Sequence, residues 1–147
     1  MYETILNLHS YFAFVVLGLL LYAVINAFIG FMGNKDFTME RDFRLSLFAF
    51  ILAHIQLLVG FVLYFVSPRF ALWGELGMGG IMKDSINRLF LVEHPFVNIL
   101  AIALITIGWS KHKKVMESKA KFKIIAIFYG LGLVFFLSRI PWSQWLG

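Results

Sequence analysis

Three of the four histidines in this chain, His9, His54 and His94, lie inside long apolar segments. An ionisable side chain at membrane depth is costly, so each of them is a candidate functional residue. Glu93 stands directly before His94, at the head of the apolar residues 89–109. Neutral imidazole nitrogens bind transition metals and haem iron. The three imidazoles therefore predict ligation of a metal or haem, or a proton-transfer role.

Other metal chemistries leave signatures that this sequence lacks. The chain has no cysteine, which excludes disulfides, thiolate clusters, c-type haem attachment and cysteine nucleophiles. It contains no HxxxH or HExxH motif and no helix with paired carboxylates, so the usual zinc and di-iron signatures are missing. Two neutral imidazoles held across a helical bundle are what a six-coordinate b-type haem needs. The residues therefore favour haem b over a directly bound metal ion.

The depth of each histidine favours one pair of axial ligands. At about 1.5 Å of rise per residue, His9 and His94 each lie roughly 9 Å below the same membrane surface. By the same measure His54 lies roughly 20 Å down, near the bilayer centre. Cα–Cβ bonds tilt toward the helix N-terminus, so His9 and His94, on co-directional helices, lean the same way. We expect these two to be the preferred pair, with His54 a substitute ligand or a separate relay.

Charged side chains near the histidines are candidates for the rest of the site. The two propionates of a haem need cations near a surface, and arginine binds a carboxylate bidentately. Arg88 and Arg139 are predicted to lie on the same side of the membrane as His9 and His94. The alternative is that both are interfacial residues that snorkel. For Arg69 the snorkelling alternative is favoured. Glu93 fits a ligand-orienting or proton-handling role, or it is a polar residue at a helix end.

Small residues share the helix faces of the two preferred histidines. On a 3.6-residue period, Ala13 and Ala27 share the face of the first histidine, and Ala101 and Gly108 share the face of the third. Such residues either let helices pack closely or leave room for a flat ligand. His112 stands in a lysine-rich stretch and is expected to be solvated.

The composition places these residues in a membrane protein. Of the 147 residues, 61% are hydrophobic and only 14% are charged, whereas a soluble domain is about half apolar. Several apolar runs exceed the ~18 residues of a candidate spanning helix. The first run follows no basic region and precedes no cleavage site, so it is expected to be retained. The net charge of +5 fits the basic loops of a membrane protein, and no nucleic-acid motif is present.

Four apolar segments must position the histidines. They cover about residues 5–32, 43–67, 85–109 and 122–140, with Asp84 or Ser85 as a cap of the third. The glycine-rich residues 69–83 are predicted to form a loop, with room for a short interfacial helix. Short loops predict an all-α, integral membrane, up-down four-helix bundle that forms a single domain over residues 1–147. In such a bundle the first and third helices can be diagonal partners.

Basic residues predict the orientation of the bundle. Of the 13 lysines and arginines, nine flank the first and third loops, and the other four are Arg69, Lys83, Arg88 and Arg139. Positive residues concentrate on the cytoplasmic side. Both termini are therefore predicted to lie outside.

Each of the four segments carries one short motif, and the four motifs together resemble those of a known family. They are Leu8-His9-Ser10, His54-Ile55-Gln56-Leu57-Leu58-Val59-Gly60, Val92-Glu93-His94-Pro95 and Ile127-Phe128-Tyr129-Gly130. Over essentially its whole length, the chain resembles small four-helix cytochrome-b-like membrane proteins of Bacteroidota. The resemblance implies a haem-b cytochrome of the bacterial inner membrane, with ligands drawn from His9, His54 and His94. Many relatives have Arg-Trp shortly after the first motif, where this chain has Phe12-Ala13-Phe14.

The leading expectation is a b-type haem-binding membrane protein that transfers electrons or handles haem beside a larger membrane complex. It would be an electron carrier or subunit rather than a stand-alone enzyme. Its expected partners are lipid, a membrane protein or a second copy of the chain, with a quinone as a further candidate. One alternative is a non-catalytic accessory subunit whose histidines hydrogen-bond between helices. Another is a quinone- or metal-dependent enzyme that uses Glu93 and His54.

Overall fold

Helices make up nearly all of the protein. The structure is a computed structural model that describes residues 1–145, and it contains no strand in that range. In chain order the helices are α1 (Tyr2–Met32), α2 (Arg44–Val66), α3 (Leu72–Lys83), α4 (Ser85–Arg88), α5 (His94–Lys114), α6 (Ser118–Ser138) and α7 (Trp142–Trp145). π-Helical turns lead into α2 and α5, which extends those two spans to Met39–Val66 and Ser85–Lys114. With α1 and α6, four helices are long and apolar enough to cross a bilayer, as a multi-pass membrane protein requires.

The four predicted segments are confirmed, with shifted ends. The predicted cap is present, because the side chain of Asp84 accepts a hydrogen bond from the N–H of Ile86. Residues 69–83, predicted as a loop, are mostly helical: a 3₁₀ turn at Pro68–Ala71 leads into α3, which is kinked at Gly77 (φ +68°). The third span continues past its predicted end at residue 109 to Lys114.

The four long helices form an up-down bundle. α1 packs against α2 and α6, and α5 packs against the same two neighbours, so α1 and α5 occupy one diagonal. This arrangement was predicted from the short loops. We call the end of the bundle where α1 begins and α6 stops the terminal end, and the other the opposite end. α1 and α5 both begin at the terminal end, and so do their histidines.

Close packing accounts for most of the small residues on the histidine faces. A Cβ at Gly108 would collide with the Cβ of Phe128, which brings α5 and α6 together. Ala27 and Ala101 are buried in the bundle core. Ala13 alone of the four lines a cavity. The choice between packing and room for a ligand is therefore resolved residue by residue, in favour of packing at three of the four.

A buried carboxylate fastens the opposite end. Asp42 is 1% exposed. Its Oδ1 accepts from Arg41 Nε at 3.0 Å and from Asn26 Nδ2 at 2.8 Å, and its Oδ2 accepts from Arg41 at 3.1 Å and from the N–H of Thr38 at 2.8 Å. A buried charge is tolerated when it is paired and hydrogen-bonded in this way. The network ties the end of α1 to the start of the second span.

The prediction that His112 is solvated is wrong. His112 is 0% exposed, and its Nδ1–H donates to the carbonyl of Trp109 at 2.6 Å. Phe37, Phe43 and Trp109 surround its ring. The physical reason is that α5 continues to Lys114, so residue 112 falls one turn beyond Gly108 on the same buried face.

Candidate functional site

A cavity of about 590 Å³ opens at the terminal end of the bundle. Helices α1, α2 and α5 and the segment after α6 line it, mainly with apolar side chains. The polar exceptions include His9, Gln56, Arg69, His94 and Asn98. An apolar pocket of several hundred Å³ with a few convergent polar groups is the usual form of a ligand or cofactor site.

Two of the predicted residues, His9 and His94, meet in this cavity. Their ring centres are 6.2 Å apart, and their ring planes are inclined at 87°. A metal–imidazole bond is about 2 Å long and the nitrogen lies about 1.2 Å from the ring centre, so two imidazoles on opposite sides of one metal have centres roughly 6.4 Å apart. The observed separation is compatible with a shared metal, and it is also that of an edge-to-face contact between two rings. The sequence-based prediction that these two histidines lie at one depth across a diagonal agrees with the structure.

Hydrogen bonding fixes the tautomer of His94. Its Nδ1 lies 2.9 Å from the carbonyl oxygen of Arg139. A carbonyl can only accept, so Nδ1 carries the proton, and in the neutral ring Nε2 keeps its lone pair. Histidines that bind metals characteristically donate their other ring N–H to a carbonyl or carboxylate in this manner.

The side chain of Asn98 does not block that lone pair. Its Nδ2 lies 3.1 Å from His94 Nε2 and 3.4 Å from His94 Nδ1. A donor in the ring plane in front of Nε2 would be about 5 Å from Nδ1 at ordinary hydrogen-bond length. The amide therefore lies over the face of the ring, where an N–H contacts the π system. Nε2 of His94 remains available to a ligand in the cavity.

Pro95 explains how α5 begins and how α3 is attached to it. Pro95 has no N–H, so the carbonyl of Leu91, one turn earlier, lacks its helical partner. The hydroxyl of Tyr64 donates to that carbonyl at 2.9 Å, and Nε1 of Trp73 in α3 donates to the tyrosine oxygen at 2.9 Å. The π-helical turn Leu89–Glu93 absorbs the disturbance just before His94.

His9 lies against α2. A Cβ at Gly60 would be 3.2 Å from Cε1 and 3.7 Å from Nδ1 of the imidazole, so any other residue there would press on the ring. The Nε2 of Gln56, one turn away on α2, donates to the backbone carbonyl of His9 at 2.8 Å. Among the residues that the structure describes, neither His9 Nδ1 nor Gln56 Oε1 has a hydrogen-bond partner, although both atoms are buried.

The predicted charged residues lie beside His94, not on the cavity wall. Glu93 pairs with Arg88 at 2.7 Å through Oε2 and with Arg139 at 3.5 Å through Oε1. Arg69 does line the cavity. Its guanidinium lies 4.1 Å from the ring centre of Phe90 and donates to Asn87 at 3.1 Å.

The structure does not bring His54 to this site. Its Nδ1–H donates to the carbonyl of Phe50 at 2.7 Å, and its Nε2 lies 3.0 Å from the hydroxyl of Thr106. Both ring nitrogens are therefore engaged outside the cavity. Glu93 is also remote from His54, because Thr106 lies 13 residues along the span from Glu93, roughly 20 Å at helical rise.

The arrangement fits a b-type haem in three respects. The ring centres of the two imidazoles are at a separation that allows one shared metal, the cavity is large and mainly apolar, and His94 is held as a metal-binding tautomer. Within residues 1–145, no group of three or more histidine, cysteine, aspartate or glutamate side chains could hold a bare metal ion. A haem needs only two protein ligands, which is the number present.

Sequence reasoning missed the neighbours of the two histidines. Asn98 follows His94 by four residues and Gln56 precedes Gly60 by four, so helical spacing carried both signals. The proximity of Gln56 to His9 depends on how α1 and α2 pack, which the spacing along α2 alone does not give. The role of Tyr64 could have been sought from Pro95, because a proline in a helix leaves one carbonyl to be satisfied.

Fold and site together define an integral-membrane four-helix bundle with an imidazole pair in an apolar cavity. Comparison with protein-family models, with curated proteins and with solved structures finds no match for the chain.

Proposed function

We propose that this protein binds haem b between His9 and His94 and transfers electrons in a membrane. The observation that carries the proposal is the 6.2 Å separation of the two ring centres at the wall of a 590 Å³ apolar cavity. Polar imidazoles facing each other in such a cavity are costly unless they hold something. A ligand with a metal centre and a large apolar body relieves that cost.

The residues of the chain have distinct parts in this proposal. His94 presents Nε2 because the carbonyl of Arg139 holds the proton on Nδ1. His9 faces it from the opposite diagonal helix, seated against Gly60. The apolar walls exclude water and lower the local dielectric, which tunes the reduction potential. A bound haem would supply one-electron chemistry, and because His9 and His94 would both ligate its iron, electron transfer is favoured over oxygen activation.

Arg69 is the cation best situated for a carboxylate of the ligand. It lines the cavity, and no carboxylate lies within 4.0 Å of it among residues 1–145. Arg88 and Arg139, the cations favoured from the sequence, are both occupied by Glu93. In this proposal those two arginines and Glu93 hold the segment around His94, and Arg69 binds a propionate.

The cellular setting follows from the charge bias and the family resemblance. We place the protein in a bacterial inner membrane with both termini outside, so that the cavity opens on the outer side. A haem protein of this size needs donors and acceptors of electrons. A membrane protein partner, a second copy of the chain or a quinone would supply them.

The test is the reduced-minus-oxidised absorption spectrum of protein purified after haem-replete expression. We expect one b-type haem per chain in the wild type, retained in His54→Ala and lost in His9→Ala and His94→Ala. His54→Ala is the matched control, because it removes a membrane histidine outside the cavity. Folded, colourless wild-type protein would refute the proposal. Loss of haem only in His54→Ala would refute the ligand pair.

A structural role for the histidines is the second candidate, and one observation favours it. The Nδ1–H of His94 bonds to the segment after α6, and the carbonyl of His9 bonds to α2, so both residues already link helices. An accessory subunit built this way would be colourless. Its His9→Ala and His94→Ala variants would lose stability without any spectral change, which separates the two candidates in one preparation.

A further inference from the structure

We infer that Gln56 is a positioning residue for His9: its Oε1 accepts the Nδ1–H of that imidazole and turns Nε2 into the cavity. The existence of the hydrogen bond does not depend on haem. Its consequence for iron rests on the proposed function.

The inference begins from two buried polar atoms that lack partners. Nδ1 of His9 and Oε1 of Gln56 are both buried and unpaired among the residues that the structure describes. One can donate and the other can only accept, so they are chemically complementary. A buried unsatisfied polar group costs about 1–3 kcal/mol, so two complementary ones nearby favour a shared hydrogen bond.

Contacts already hold the two residues together. Gln56 donates from Nε2 to the backbone carbonyl of His9 at 2.8 Å, which keeps its carboxamide beside that residue. The Nδ1 edge of the imidazole faces α2, because a Cβ on Gly60 would lie 3.7 Å from that nitrogen. Gln56 and Gly60 are one helical turn apart on α2. The hydrogen bond requires a shift of the carboxamide that brings Oε1 to Nδ1.

The other histidine of the pair supplies the precedent. His94 donates from Nδ1 to a fixed acceptor, the carbonyl of Arg139, and this leaves Nε2 free. If Gln56 acts in the same way on His9, both imidazoles present Nε2 to the cavity. A hydrogen-bond acceptor for the Nδ1–H also makes an imidazole a stronger base at Nε2 and a better ligand for oxidised iron.

The first measurement needs no haem. In apoprotein labelled with ¹⁵N-histidine, we expect the ring shifts of His9, assigned by their loss in His9→Ala, to report the Nδ1–H tautomer. Gln56→Met, which keeps the length of the side chain but no acceptor, should shift His9 toward the other tautomer. Gln144→Leu, a change at an exposed glutamine that also lines the cavity, should leave the shifts unchanged.

The second measurement uses the haem-loaded protein. Loss of such a supporting contact typically weakens metal binding roughly 10- to 100-fold, so we expect that loss of haem affinity in Gln56→Met. Its midpoint potential should rise. Gln56→Glu keeps an acceptor of the same reach and should lower the midpoint potential instead. Because the two variants shift the potential in opposite directions, general damage to the fold cannot imitate the result.

The outcomes separate the two claims. An Nε2–H tautomer of His9 in the wild type, or an Nδ1–H tautomer that survives Gln56→Met, would overturn the inference. A Gln56-dependent tautomer in a wild type that binds no haem would support the hydrogen bond and refute the proposed function.

Discussion

The two ends of the bundle are built on opposite plans. At the opposite end the interior is filled: the carboxylate of Asp42 accepts five hydrogen bonds, and aromatic rings surround His112. At the terminal end α1, α2, α5 and the segment after α6 line a cavity. Of the four buried side-chain atoms without a partner in residues 1–145, three line that cavity, on His9, Gln56 and Asn98, and one is Nε2 of His112. Most of the unmet bonding capacity therefore lies at the terminal end, whereas the interior of the opposite end is packed.

The largest expected effect comes from placing a leucine at one position in each half of the bundle. Ala27→Leu places three extra carbons in a packed core, so we expect a loss of about 1–3 kcal/mol in the free energy of unfolding, with haem binding retained. Ala13→Leu, on the same helix, enters the cavity and should leave the stability unchanged while it abolishes haem binding. Denaturation in detergent and haem titration measure both quantities. Equal destabilisation by the two changes would contradict the contrast between the halves.

Removal of the buried carboxylate comes next. Asp42→Ala leaves the side chain of Asn26 and the N–H of Thr38 without their acceptor, and we expect about 2 kcal/mol of destabilisation. The matched control is Asp36→Ala, an exposed aspartate in the same loop. Thermal denaturation followed by circular dichroism compares the two. If the control is as damaging, the effect is one of loop charge and not of this network.

A smaller effect is expected from Tyr64→Phe. The change leaves the carbonyl of Leu91 and the indole N–H of Trp73 without their shared partner, at a cost of about 1 kcal/mol. We also expect increased solvent accessibility of Trp73, measured by quenching of its fluorescence in a variant that lacks the other tryptophans. Tyr22→Phe, at an exposed tyrosine, should change neither property.

The smallest effect is assigned to Arg69→Gln. It removes a charge at the mouth of the cavity, where water screens the interaction. We expect haem affinity to fall by about 1 kcal/mol, or roughly fivefold. Lys83→Gln is the control for loss of a positive charge at the same end. If Arg139→Gln weakens affinity more than Arg69→Gln while Glu93 and His94 keep their positions, the carboxylate lies at Arg139 instead.

The sequence was most informative where one helix alone decides the outcome. Apolar length defined the four spans, and the rise per residue placed His9 and His94 at one depth. It failed where a helix end or a neighbouring helix decides. His112 is buried because α5 continues through the lysine-rich residues to Lys114. The partner of Gln56 could be known only from the register of α1 against α2. Glycine content suggested a loop at residues 69–83, but the structure has a helix there that is kinked at Gly77 and packs against its neighbouring turns.

The indole of Trp73, the phenol of Tyr64 and the carbonyl of Leu91 form a continuous tether from the surface helix α3 to the residues just before His94. A molecule that binds to α3 and tilts it would displace the turn that precedes the imidazole of His94. In the proposed haem site, the binding of iron by His94 would then respond to an event at α3, without entry of the docked molecule into the cavity.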